Sequence, residues 1–155
     1  MIDPQTDHFI ICGYGRAGRH AARDLGLAGM PCVVIDADPP GGDRAAAPGR
    51  FVEAHPADDD VLAGAGIARA RAVIACMDSD ADNIFVVLTA RGLRPDVLIV
   101  ARASSEDAER KLKRVGADCV VSPEETSGSE IARVALHPPL AGATARAAEI
   151  EVRPR

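Results

Sequence analysis

At 155 residues, 47% hydrophobic and 26% charged, with a formal net charge of −5, the chain has the size of one domain and the balance of a soluble globular protein. It carries no basic stripe or aromatic platform, which argues against nucleic acid as a partner, and no apolar run long enough to cross a bilayer. The N-terminus, MIDPQTDHF, lacks both a basic n-region and an apolar h-region, so no secretory signal is expected and the protein reads as cytoplasmic.

In chain order, the apolar segment Phe9–Cys12 predicts a first strand that runs straight into Gly13-x-Gly15-x-x-Gly18. A helix-period stretch follows, with Ala17, Ala21, Leu25 and Ala28 on one expected face. A second strand, Cys32–Ile35, ends in Asp36, 18 residues after the last glycine. A glycine triplet alone is weak evidence, but strand, glycines, helix, strand and acid in this order form a nucleotide-binding fingerprint. Gly13 permits the tight turn, Gly15 lets a pyrophosphate approach the backbone, and Gly18 lets helix and strand pack closely. The helix N-terminus faces the phosphates with unpaired N–H groups. Asp36 would accept hydrogen bonds from a ribose diol and repel a 2′-phosphate, favouring NAD-like or adenosine ligands over NADP.

Beyond it, Pro39–Arg50 reads as a loop, Phe51–Val52 as a third strand and Asp58–Ala65 as a short helix with acids in its first turn. Strands are then expected at Ala72–Cys76, Val97–Ala101 and Cys119–Val121. A helix between the first two shows Ile84, Val87, Leu88 and Arg91 on one side, with Ser79 or Asp80 at its start and Gly92 and Pro95 at its end. Another carries Ala108, Leu112 and Val115 and ends at Gly116. The alternation predicts an α/β fold: a Rossmann-like, doubly wound, parallel six-stranded sheet of order 3-2-1-4-5-6, covered on both faces. After Ser122–Pro123 a further helix places Ile131, Ala132, Ala135 and Leu136 on one apolar side and stops at Pro138–Pro139. This helix either docks on a partner or second domain, or folds back over its own sheet. The expected division is a nucleotide-binding domain over residues 1–138 and a tail, or the start of a second domain, over 139–155, with a short strand at Glu149–Val152. Cys12, Cys32, Cys76 and Cys119 form no CxxC pair and read as buried small hydrophobes, and the dispersed histidines suggest no metal site.

Beyond the fingerprint, the chain resembles the RCK or TrkA-N domains that regulate potassium channels and uptake systems. The resemblance rests on HFIICGYGRAG at 8–18, VVID at 33–36, DDDVLAGAGIARARAVIAC at 58–76 and DSDADNIFVVLTARGLRP at 78–95, then on LIVARAS at 98–104 and KLKRVGADCVVSPEETSG at 111–128. It implies a binding module without catalytic residues that takes NAD(H), ATP, ADP or AMP in the crevice above the first and fourth strands. Carried onto this chain, the ligand-contacting positions are Gly13, Tyr14, Gly15, Arg16, Ala17 and Gly18 of the loop, with Asp36 and Ala37 at the ribose. His55 stands on the adenine side, and Cys76, Met77, Asp78 and Arg102 lie along the ligand's middle. Arg16 would meet phosphate from its own subunit or its neighbour's, and Arg102 is either a second phosphate contact or an intersubunit ion-pair partner. Many relatives carry Gly-Asp where this chain has Ala54-His55, and calcium-gated ones carry acids where it has Cys76, Arg102 and Ser104, so no such calcium site is expected.

The resemblance further implies a potassium channel or transporter membrane subunit as partner, a last helix crossing to a second copy, and a homodimer or an octameric ring built from it. The pore helices and second regulatory domain of the family are not in the sequence, which reads as a stand-alone subunit or a piece of a longer protein. Two other functions compete: an NAD-dependent oxidoreductase fragment, and an NAD(H) redox sensor serving another partner. Hydride transfer needs a substrate pocket and an acid–base group, for which the post-strand loops offer only His55.

Overall fold

A computed structural model describes residues 6–38, 47 and 49–139. Six strands, β1 (Phe9–Cys12), β2 (Cys32–Ile35), β3 (Arg50–Val52), β4 (Ala72–Ala75), β5 (Leu98–Arg102) and β6 (Cys119–Val121), form one sheet of order β3-β2-β1-β4-β5-β6. Every pairing is parallel; β1 lies at the centre, with Cys12 opposite Ile35 on one side and Ala75 on the other. This is the expected order, and strand boundaries differ from expectation by about a residue. The strand at Glu149–Val152 and most of the loop after Asp38 lie outside the described residues.

The two sheet faces are built differently. On one, Ile10, Cys12, Val33, Ile35, Val73, Ala75, Ile99 and Ala101 pack against α2 (Asp59–Gly64), α3 (Asp80–Leu93) and α4 (Glu106–Val115) through Leu62, Val86, Val87, Ala90 and Leu112. On the other, Ile11, Cys32 and Val34 pack with Ala22 and Leu25 of α1 (Arg16–Leu27), with Tyr14, Phe9 and Phe51 around them. The expectation of two fully covered faces is corrected at the β5–β6 edge, where Leu98, Cys119 and Val121 are exposed. Residues of period two on that side belong to the face served by α1, and α1 packs on β1 and β2. Cys119 is thus not the buried hydrophobe expected; Cys12 and Cys32 are buried and Cys76 half-buried.

Two helix faces also differ from expectation. In α1 the buried residues are Gly18 and Ala22 instead of Ala17 and Ala21, and Gly18 sits against the Gly13 carbonyl, where a side chain would not fit. In α3 they are Asn83, Val86, Val87 and Ala90, while Leu88 of the expected face is exposed. The chain divides into two compact units, Met1–Val121 and Ser122–Arg155. The second contains α5 (Pro123–Leu136), opened by Pro123 with Glu124 and Glu125 in its first turn; none of its residues is buried.

Candidate functional site: a cleft at the C-terminal ends of β1, β2 and β4

Strand order reverses at β1, between β2 and β4. In open parallel sheets this is where a crevice opens beyond the strand ends. Here the crevice is lined by Gly13, Gly15, Asp36, Asp38, Cys76, Met77, Asp78, Ser79 and Asp82.

The glycine loop is fixed by contacts that no side chain would allow. Gly13 has φ +104°, and a Cβ there would lie 2.7 Å from the Cys76 carbonyl oxygen. A Cβ on Gly18 would collide with the Gly13 carbonyl oxygen. Gly15 is the N-cap of α1 and offers no side-chain acceptor, so the first-turn N–H groups remain available at the cleft. Tyr14 is buried; its ring meets Phe51 edge-on at 5.6 Å and the Arg19 guanidinium lies over it at 5.1 Å. Those contacts make Tyr14 the underside of the loop.

Asp36, directly after β2, has both oxygens engaged by backbone. Oδ2 accepts from Tyr14 N at 2.6 Å and Oδ1 from Asp38 N at 2.8 Å. Each oxygen keeps a free lone pair for a further donor, as ribose hydroxyls would be. The side chain that reads as a ribose ligand thus also ties the glycine loop to β2. The opposite wall is the turn from β4 into α3. Ser79 is the α3 N-cap, its Oγ accepting from Asp82 N at 3.2 Å, which decides between Ser79 and Asp80. Beneath the turn, buried Asn83 accepts from Met77 N at 2.8 Å through Oδ1 and donates through Nδ2 to the carbonyls of Met77 and Arg102, each at 3.0 Å. Asp80 Oδ1 accepts from Ser104 N at 2.9 Å, joining α3 to the residues after β5.

Of the sequence-predicted positions, the fold brings Gly13, Gly15, Asp36, Cys76, Met77 and Asp78 together at the cleft. Gly18 and Tyr14 support it from behind. Arg16 is exposed at the first residue of α1, Ala17 is half-buried one residue on, and Ala37 is exposed beside Asp36. His55 is exposed in the loop after β3 and outside the lining, its Nδ1 accepting from Ala57 N at 3.2 Å. Arg102 is turned to its own chain: Nη1 donates to the Met77 carbonyl at 3.2 Å and lies 3.8 Å from Asp78 Oδ1. Burial pushes the Cys76 thiol up to about 11, against the opposing pull of Arg102. Sequence reasoning missed Asp38, Ser79 and Asp82 in the lining and Asn83 beneath it. The Ser79-x-x-Asp82 spacing, a helix-start signature, was the available signal for the first wall residues.

A glycine loop opening a helix at the reversal point of a Rossmann-like sheet, with an acid after the second strand, defines a nucleotide-binding class of domain. Residues 9–123 match the TrkA-N domain, and the chain belongs to that family. It is similar to Potassium channel protein 1 of Methanocaldococcus jannaschii, 36% identical over 146 residues, covering 88% of this chain and 42% of that protein. Probable potassium channel protein 2 of the same organism is 40% identical over 141 residues, covering 88% and 41%. The chain thus spans about two fifths of the length of these curated relatives. Among solved structures it resembles the Shewanella denitrificans Kef CTD in AMP-bound form, with TM-score 0.75 and 26% identity over 83% of this chain and 78% of that one. It also resembles the GsuK channel bound to NAD, with TM-score 0.74 and 29% identity over 84% and 24%. GsuK bound to ADP gives TM-score 0.73 and 32% identity over 86% and 35%. Among the described residues no helix is long and apolar enough to cross a membrane.

Proposed function

We propose that this domain senses an adenine nucleotide, from among NAD(H), AMP, ADP and ATP, and thereby regulates a potassium channel or transporter from the cytoplasmic side, acting as a homodimer. The observation that carries the reading is the cleft at the β1 reversal point, where the α1 N-terminus, the bare backbone of Gly13 and Gly15, and Asp36 converge. Phosphates lie against the loop, and the ribose diol hydrogen-bonds to the oxygens of Asp36. Arg16 approaches phosphate from its exposed place at the start of α1. Relatives named as potassium channels, and neighbours whose solved forms hold AMP, NAD and ADP, support both the ligand class and the regulated partner. Among the described residues, no histidine, lysine or tyrosine lines the cleft as an acid–base group, which supports sensing over hydride transfer. Regulation then requires only that nucleotide bind two conformations of the assembly unequally.

Calorimetric titration with NAD+, NADH, AMP and ADP tests this reading. Wild type is expected to bind at least one of them, and Asp36→Ala to weaken it by about 1–3 kcal/mol, the worth of hydrogen bonds to a charged acceptor. Affinity unchanged in Asp36→Ala would remove the ribose assignment.

A further inference from the structure

Resting on the reading of this cleft as a nucleotide site, we propose that it selects its ligand by charge, taking NAD+ in preference to ADP and ATP, with Asp78 as the discriminating residue. Among the described residues, four that line the cleft are aspartates, Asp36, Asp38, Asp78 and Asp82, and none that lines it is lysine or arginine. Among the described residues no three acids, histidines or cysteines converge closely enough to hold a metal ion. The carboxylates therefore act on a ligand as a field. Asp36 is partly offset by the two backbone N–H groups that it holds.

Asp78 is placed differently. A methyl group on Gly15 would stand 3.2 Å from its Oδ1 and 3.3 Å from its Oδ2, so its carboxylate faces the glycine at which phosphate must approach. Its side chain is 85% exposed, and its pairing with Arg102 is loose at 3.8 Å because Arg102 donates to the Met77 and Asp78 carbonyls. The positive groups on the other side are the α1 N-terminus, worth about half a charge, and exposed Arg16.

That balance distinguishes ligands sharing one adenosine. NAD+ presents a pyrophosphate diester whose charge is partly cancelled by its pyridinium ring. NADH lacks that ring charge and falls next. ADP and ATP end in a terminal phosphoryl group, joined through an anhydride oxygen, that is close to doubly ionised at neutral pH. Placed a few ångströms from Asp78 in a half-exposed cleft, each additional charge costs roughly tenfold in affinity.

The test is calorimetric titration of the full chain with NAD+, NADH, ADP and ATP, in EDTA and at low salt, where screening is weak. Wild type is expected to bind NAD+ roughly tenfold or more tightly than ADP. Asp78→Asn, which keeps the shape and removes the charge, is expected to abolish most of that ratio by tightening ADP and ATP. Asp82→Asn, at the cleft wall, is expected to narrow it less. Equal affinities in wild type, or a ratio unchanged in Asp78→Asn while binding persists, would overturn the proposal and leave the nucleotide site standing. Wild type binding none of the four would overturn this proposal, and binding neither these nor AMP would overturn the nucleotide site as well.

Discussion

Asp36 and Cys76 both line the cleft and both have structural consequences of their own. Asp36 holds the loop with the same oxygens that the proposed function gives to ribose, so Asp36→Ala is expected to loosen the loop as well. Cys76 forms part of the cleft lining, and its thiol is raised from the ordinary 9.0 to about 11, burial being the main cause. Because the folded value lies above the unfolded one, the associated stability is fully present below pH 9.0 and is lost as pH rises toward and through about 11. By pH 11 the loss amounts to roughly 2 kcal/mol from this thiol. Urea midpoints measured across that interval are expected to fall less steeply for Cys76→Ala than for wild type. Equal slopes would assign the alkaline loss to other groups, such as Cys12, which burial raises further still.

At the scale of elements, Asn83 carries the most. One fully buried amide on α3 satisfies Met77 N–H, the Met77 carbonyl and the Arg102 carbonyl, fixing the β4–α3 turn against the end of β5. Asn83→Ala leaves buried backbone groups without partners and is expected to destabilise the fold by about 2–4 kcal/mol. Denaturant unfolding checks the size, and faster amide exchange at Met77 checks the place. Asn83 also shows why strand order was legible in the sequence and helix faces were not. The strands are short apolar runs of period two, and the glycine loop marks the first of them, so the order followed. The true buried stripe of α3 runs through Asn83, Val86, Val87 and Ala90. A polar residue in that stripe moved the expected face one position, onto Ile84 and Leu88. In α1 the buried stripe runs through Gly18, whose contribution is the absence of a side chain, and small apolar residues on two sides fit either face equally. The cleft's floor was legible because it is built from backbone-demanding glycines and a placed acid. The wall from Ser79 to Asp82 was not, because its polar residues also serve as an ordinary helix start.

For the whole molecule, α3 joins the cleft to the surface. Its first turn supplies Ser79 and Asp82 to the lining, and its outward side carries Ala81, Phe85, Leu88 and Gly92, a stripe without charge. Phe85 is 59% and Leu88 47% exposed, and contiguous apolar surface of this kind marks an association site. The proposed homodimer is expected to form through this stripe, so sedimentation should find wild type dimeric and Phe85→Glu shifted to monomer with its fold retained. A dimer untouched by Phe85→Glu would place the contact elsewhere. Because the same helix borders the proposed nucleotide site and the proposed dimer contact, ligand and assembly are expected to be linked, and linkage is reciprocal. Because a dimer holds two sites, saturating NAD+ must change the dimer dissociation constant by the square of the factor that dimerisation applies to the NAD+ affinity of each site. Phe85→Glu, measured by calorimetry as monomer, should therefore differ from dimeric wild type in NAD+ affinity by that factor. A ligand that alters dimerisation while the monomeric variant binds it as wild type does would break the cycle and remove α3 as the element connecting them.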